Sequence, residues 1–153
     1  AAAQYVPMPG ITALLGALRD WNARTALVTS GAPFKVELVL QQLGLDGVFD
    51  AIVTGEDVQR GKPDPDCYLR GAEALGVPPA KCLVFEDAIS GVTAATHAGM
   101  LCIGISERSD HLVAAGAAYT IPDFTGTAIT SSPIPGQAWL FTSKARCIPI
   151  KIH

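Results

Sequence analysis

The chain has 153 residues, 49% of them apolar and only 16% charged, with a formal net charge of −3; that length suits one domain with a sizeable core and is too short for two. A mildly acidic balance with no Lys/Arg cluster excludes the electrostatic footprint of a nucleic-acid backbone or an anionic membrane as partner. No apolar run reaches the roughly 18 residues that a spanning helix needs.

The N-terminal "AAAQYVPMPG" lacks the basic start and apolar centre of a signal peptide, so the sequence reads as a soluble, cytoplasmic protein. Ile11, Leu14, Leu15 and Leu18 recur at helical spacing and predict a helix from about Ile11 to Trp21. Thr25 to Thr29 reads as a buried strand, and Phe34 to Leu43 as a helix stopped by Gly44. A strand at Ala51 to Thr54 and a helix from Asp66 to Leu75 follow, the latter closed by Gly76. The alternation continues with a strand at Cys82 to Phe85, a helix at Ser90 to Ala98 and a strand at Leu101 to Ile105. A short helix at His111 to Ala115 and a short strand at Ala118 to Ile121 complete it.

Continuously apolar strands separated by amphipathic helices predict an α/β fold, a doubly wound parallel sheet covered on both faces. The core is placed at residues 1–129. From about Thr130 the texture changes, and residues 130–153, with Pro133, Pro135 and Pro149, are expected to form an irregular tail. Ile148, Ile150 and Ile152 alternate as an edge strand would, but Pro149 removes a ladder donor between them. Cys67, Cys82, Cys102 and Cys147 are widely separated with no C-x-x-C pair, and are read as buried free thiols.

In such sheets ligands gather beyond the carboxyl ends of the strands. Thr29, Ser30 and Gly31 follow one strand; Gly61, Lys62 and Pro63 lie past the next; Glu86 and Asp87 follow a third. A hydroxyl, an ammonium and two carboxylates on one sheet edge match the chemistry of a phosphate and a magnesium ion. Each also has a plain structural explanation. Thr29-Ser30 would cap the following helix, Lys62 would be a solvated loop lysine, and Glu86-Asp87 would sit at a helix N-terminus. The conjunction at successive strand ends favours the functional reading. No G-x-G-x-x-G follows a strand, which disfavours dinucleotide binding.

The segments "LVTSG", "GEDVQRGKPDPDCYLRGAEALGV" and "CLVFEDAISGVTAATHAGM" resemble the second, third and fourth motifs of the haloacid dehalogenase-like hydrolase superfamily, in the branch of β-phosphoglucomutase and the small sugar- and polyol-phosphate phosphatases. The resemblance runs from about Met8 to Thr127 and implies a Rossmann-like core. It implies that Thr29 and the Ser30 N–H bind phosphate, that Lys62 bridges phosphate and nucleophile, and that Asp87 holds Mg²⁺ with Glu86 in or near the metal shell. Pro63 would fix the loop that presents Lys62.

The superfamily's nucleophilic Asp and its acid–base partner lie in a D-x-D motif at the end of a first strand, and a helical cap follows. Neither is recognised here: the one D-x-D, Asp64-Pro65-Asp66, falls within the third motif. The chain is therefore expected to be the C-terminal core portion of a Mg²⁺-dependent phosphatase that acts on a small phosphorylated metabolite through an aspartyl phosphate, inactive alone. A phosphomutase and a non-catalytic phosphate- or Mg²⁺-binding protein are the alternatives. In the superfamily's sheet the missing strand lies between those at Thr25 and Cys82; the tail and the N-terminal "AAAQYV" are candidates to fill the gap but neither reads as a central strand, so two facing edges are expected to be unpaired, with marginal stability or self-association as the consequence.

Overall fold

A computed structural model describes residues 4–108, 110–125, 136–142 and 150–151. The elements in chain order are β1 (Gln4–Tyr5), α1 (Ile11–Asp20), β2 (Arg24–Val28), α2 (Pro33–Leu43), β3 (Ala51–Val53), α3 (Asp66–Leu75), β4 (Cys82–Glu86), α4 (Ile89–His97), β5 (Leu101–Ile105), α5 (Asp110–Ala115), β6 (Tyr119–Ile121), β7 (Ala138–Thr142) and β8 (Ile150–Lys151). From α1 to β6 these are the elements read from periodicity, with ends that differ by one or two residues, as helix and strand ends commonly do, while β1 has no counterpart in that reading.

Local chemistry explains most boundaries. The stripe Ile11, Leu14, Leu15 and Leu18 is buried, so α1 lies with one face on the sheet. Pro33 opens α2 with its preset φ, and Gly44 closes it in the left-handed region at φ 68°. Gly76 ends α3 in the same way at φ 65°, with its N–H bonded to Glu73.

Six strands form one sheet in the order β3-β2-β7-β4-β5-β6, every neighbouring pair parallel. One face carries a cluster in which α1 and α2 contribute Leu14, Leu15, Leu18, Val36 and Leu40. The other carries Tyr68, Ala72 and Leu75 of α3, Val92, Ala94 and Ala95 of α4, and Leu112 of α5. This is the doubly wound parallel architecture that the sequence predicts. A separate two-stranded pair joins β1 and β8, with Gln4 opposite Lys151 and Tyr5 opposite Ile150 in antiparallel register.

The C-terminal segment departs from its expectation. Within residues 130–153, read as an irregular tail, Ala138–Thr142 is a fully buried strand at the centre of the sheet. It pairs with β2 from Arg24↔Ala138 to Val28↔Thr142, and with β4 from Cys82↔Ala138 to Phe85↔Phe141. The facing edges of β2 and β4, expected to be unpaired, are therefore satisfied within the chain. The reason is physical: Ala138 to Phe141 is a short, uninterrupted apolar run before Thr142, the pattern of a strand buried on both faces, and its neighbouring prolines fall outside the run. Of the alternating isoleucines, Ile150 lies in β8, while Ile148 and Ile152 fall outside the described residues.

The side chains of β7 alternate between the two clusters. Trp139 and Phe141 point to the α1/α2 face, where Phe141 stacks on Phe85 with ring centroids 5.1 Å apart and planes at 7°. Trp139 stacks on the same ring at 5.7 Å, and Phe124 meets Phe85 edge-on at 5.3 Å. Such pairs add about 0.5–1.5 kcal/mol each beyond their buried area. Ala138 and Leu140 face the other cluster. There α3 approaches so closely that a Cβ on Gly71 would lie 2.9 Å from Leu140 Cδ2.

Because Leu140 is wholly buried in a central strand, Leu140→Ala should lower the unfolding free energy by about 2–5 kcal/mol in a denaturant titration. A substitution in an irregular tail would leave the midpoint unchanged.

Candidate functional site

Register brings the strand ends together. Thr142 is level with Val28, so Thr29 lies one residue beyond it on β2; Phe141 is level with Phe85, so Glu86 stands beside Thr142 on β4. Neighbouring strands are about 4.8 Å apart. Thr29, Thr142 and Glu86 thus share the carboxyl edge of three adjacent strands.

Lys62 enters from the loop before α3, where the Lys62-Pro63 peptide is cis. Its ammonium donates to Glu86 Oε1 at 2.5 Å, to Thr142 Oγ1 at 3.2 Å and to Tyr68 Oη at 3.3 Å. The Tyr68 hydroxyl in turn donates to Glu86 Oε1 at 2.6 Å. The Lys62 and Glu86 side chains are 3% and 0% exposed. Lys62 is therefore not a solvated loop lysine but half of a buried ion pair. Such pairs hold because the remaining donors and acceptors are satisfied, and removing one partner typically costs about 3–5 kcal/mol.

The second Glu86 oxygen, Oε2, accepts the backbone N–H groups of Asp87 at 3.1 Å and Ala88 at 3.2 Å, at the entrance to α4. Both carboxylate oxygens are thus committed to protein donors. The carboxyl group lies so close to α4 that a Cβ on Gly91 would sit 1.9 Å from it. That proximity is the physical reason for the glycine in "EDAISG". Burial, and then the Glu86 charge, push the Tyr68 hydroxyl well above its ordinary range, so it remains a donor.

Thr29 is buried; its N–H donates to the Val53 carbonyl at 2.9 Å and its hydroxyl accepts the Gly31 N–H at 3.0 Å. Neither Thr29 nor Ser30 caps the next helix, since the residue at the start of α2 is Ala32 and no side chain caps it. Ser30 is exposed. Asp87 follows β4 directly and is partly buried, with its Oδ1 atom shielded from solvent. Asp64 accepts the Asp66 N–H at 3.1 Å as α3 opens, and Arg60 lies 3.8 Å from it; the D-x-D segment starts a helix rather than ending a strand.

The structure therefore joins Lys62 directly to Glu86 and places Thr29 two strands from Glu86, with Thr142 between them. Asp87 adjoins the group through its own backbone. Sequence reasoning missed Tyr68 and Thr142. Tyr68 falls in the first turn of α3, where a helical aromatic reads simply as core; Thr142 ends the strand that had been assigned to the tail. Cys67, Cys82 and Cys102 are buried free thiols as expected, while Cys147 lies outside the described residues. Burial raises the Cys82 and Cys102 thiols to about 11 and about 12.

Among the described residues no group of three or more His, Cys, Asp or Glu side chains is arranged to hold a metal. With Glu86 engaged, Asp87 is the carboxylate whose chemistry suits a hard cation. Mg²⁺ is often held by one or two carboxylates together with a substrate phosphate, and one carboxylate at this edge fits that mode. No helix among the described residues is long and apolar enough to cross a membrane.

A parallel, doubly wound sheet with a buried Lys–Glu pair at its carboxyl edge defines an α/β protein with a Rossmann-like fold. The sequence profile of the haloacid dehalogenase-like hydrolases matches residues 1–99, and the chain belongs to that family. It is 38% identical over 120 residues to validoxylamine A 7'-phosphate phosphatase of Streptomyces hygroscopicus subsp. limoneus, covering 78% of this chain and 56% of that protein. It is 40% identical over 103 residues to hexitol phosphatase A of Escherichia coli, covering 67% and 47%. The crystal structure of CbbY from Rhodobacter sphaeroides in complex with phosphate superposes with a TM-score of 0.72 at 28% identity, over 79% of this chain and 56% of that one. The chain spans about half the length of each of these proteins.

Two substitutions test the network. Tyr68→Phe removes a hydrogen bond to a buried charge and should cost about 1.5–3 kcal/mol of stability. Because the Tyr68 hydroxyl is held above its ordinary value of 10.0, the unfolded chain loses that proton first, and stability should fall as the pH rises past it. The fall should be shallower in Tyr68→Phe. Gly91→Ala, which drives a Cβ into the Glu86 carboxyl, should cost about 1–3 kcal/mol or more by the same denaturant measurement.

Proposed function

We propose that this chain forms the core of a phosphatase-type enzyme acting on a small sugar or polyol phosphate. The observation that carries the reading is the buried Lys62 ammonium at the carboxyl edge of adjacent parallel strands, within hydrogen-bond reach of the residue that ends each of β4 and β7. Membership of a hydrolase family whose relatives here include two phosphatases supports it.

In this reading the Thr29 hydroxyl and the Ser30 N–H donate to phosphoryl oxygens, and Lys62 neutralises charge that develops on the transferring group. Glu86 acts as a positioning residue that holds Lys62 rather than as a direct metal ligand, since both its oxygens are engaged. Asp87 would hold Mg²⁺, which when bound supplies electrostatic stabilisation of phosphate charge. Mg²⁺ dependence is part of the proposal.

The strand beside Thr29 and Glu86 ends in Thr142, a neutral hydroxyl where covalent phosphoryl transfer through an acyl phosphate requires a carboxylate. That observation favours, as a second reading, a phosphate- or Mg²⁺-binding protein without turnover. It also leads us to propose that the 153-residue chain is inactive by itself.

Purified chain with an aryl phosphate and Mg²⁺ should therefore release no phosphate above buffer. Mg²⁺-dependent turnover that Asp87→Ala abolishes would overturn the proposed inactivity. Thr142→Asp adds a carboxylate beside Glu86; this should lower the melting temperature without metal and make it rise on adding Mg²⁺, by linkage. Combining it with Asp87→Ala should remove the rise. If Mg²⁺ shifts neither variant, the assignment of this edge as a metal site fails.

A further inference from the structure

The slot between β2 and β4 is filled from a long way off along the chain. The strands that flank β7 lie more than fifty residues before it, and residues 122–137 separate it from β6 at the far side of the sheet. Phe124 is packed against Phe85 with its N–H bonded to the Pro9 carbonyl, so the span left to residues 126–137 is on the order of 40 Å when extended at about 3.3 Å per residue. Six strands at about 4.8 Å span roughly half that distance. The connector is long enough to deliver β7 to its own sheet or to that of a neighbouring molecule.

We infer that the slot is a strand-accepting surface whose second occupant is Ala138–Thr142 of another copy of this chain. The product is a strand-exchanged dimer in which each Lys62 meets the partner's Thr142. Exchange breaks no contact that it does not remake: the parallel ladders to Arg24–Val28 and Cys82–Phe85, the stacking of Trp139 and Phe141 on Phe85, and the Lys62–Thr142 hydrogen bond recur between copies. The balance is set by the effective concentration of the strand on its own connector, about millimolar for a connector of this length. Dilute chain folds as a monomer, and chain folded at concentrations approaching that value partitions into the dimer. Once formed, either species persists, because removing β7 disrupts a fully buried strand and both of its ladders. The candidate site is then completed in trans.

The test uses the full chain, unfolded in denaturant with reductant and refolded at about 10 μM and about 1 mM, with mass read by size exclusion and light scattering. The expected result is monomer at the low concentration, and at the high one a dimer fraction that survives dilution for hours. Monomer alone at both concentrations overturns the proposal, as does a dimer that dissociates at once on dilution. The route of association is read with Ala138→Cys, because Ala138 lies in register with Cys82 and a disulfide can span neighbouring strands. After oxidation, denaturing electrophoresis without reductant should show covalent dimer from the dimer fraction, and an internally bridged single chain from the monomer fraction. An internally bridged single chain from the dimer fraction would mean that the copies associate by another surface. If this variant does not fold, the refolding result for the unmodified chain decides.

Discussion

Every N–H and C=O on the facing edges of β2 and β4 lies in the interior of the sheet, where no water can satisfy it, and each unpaired group would cost about 1–3 kcal/mol. Ala138–Thr142 supplies those partners on both sides at once. Its side chains also join the two hydrophobic clusters, with Trp139 and Phe141 in one and Ala138 and Leu140 in the other. Without that strand the sheet would be two fragments, β3-β2 and β4-β5-β6. The carboxyl edge on which the candidate site stands would then have no middle.

The site inherits this dependence. The Lys62 side chain is buried to 3% exposure and is tolerable there because Glu86, Tyr68 and Thr142 surround its ammonium. Those partners come from β4, α3 and β7, so the ion pair forms only where sheet and helix are already assembled. Glu86 is in turn held by two backbone N–H groups at the entrance to α4, and Gly91 leaves it the space. The network ties helix entry, sheet centre and cation together. Its members are therefore coupled, and their individual contributions will not add.

Much of this was legible in the residues. Continuous apolar strands and a helical stripe such as Ile11, Leu14, Leu15 and Leu18 carry their structure locally, because burial on a sheet face demands that spacing. The three quoted motifs carry the family, and Thr29, Lys62, Glu86 and Asp87 were identified as candidates from their places near strand ends. The part of Glu86 was less legible. A carboxylate after a strand reads equally as metal ligand or helix entry, and only the closeness of Lys62 and Tyr68 shows that both its oxygens are engaged. The strand at 138–142 is hidden in the sequence because Pro133, Pro135 and Pro149 lend the surrounding segment the texture of an irregular tail.

Local spacing and short motifs are enough to reveal the family, the alternation of strands and helices to Ile121, and which residue types stand near the strand ends. Which strand occupies the centre of the sheet, and which side chains meet the Lys62 ammonium, is settled by folding alone. The first depends on pairing across more than fifty residues, and the second joins partners 6, 24 and 80 residues from Lys62. A run of four apolar residues states that it will be buried, but not between which neighbours: that choice belongs to the open edges of β2 and β4 and the aromatic face of Phe85.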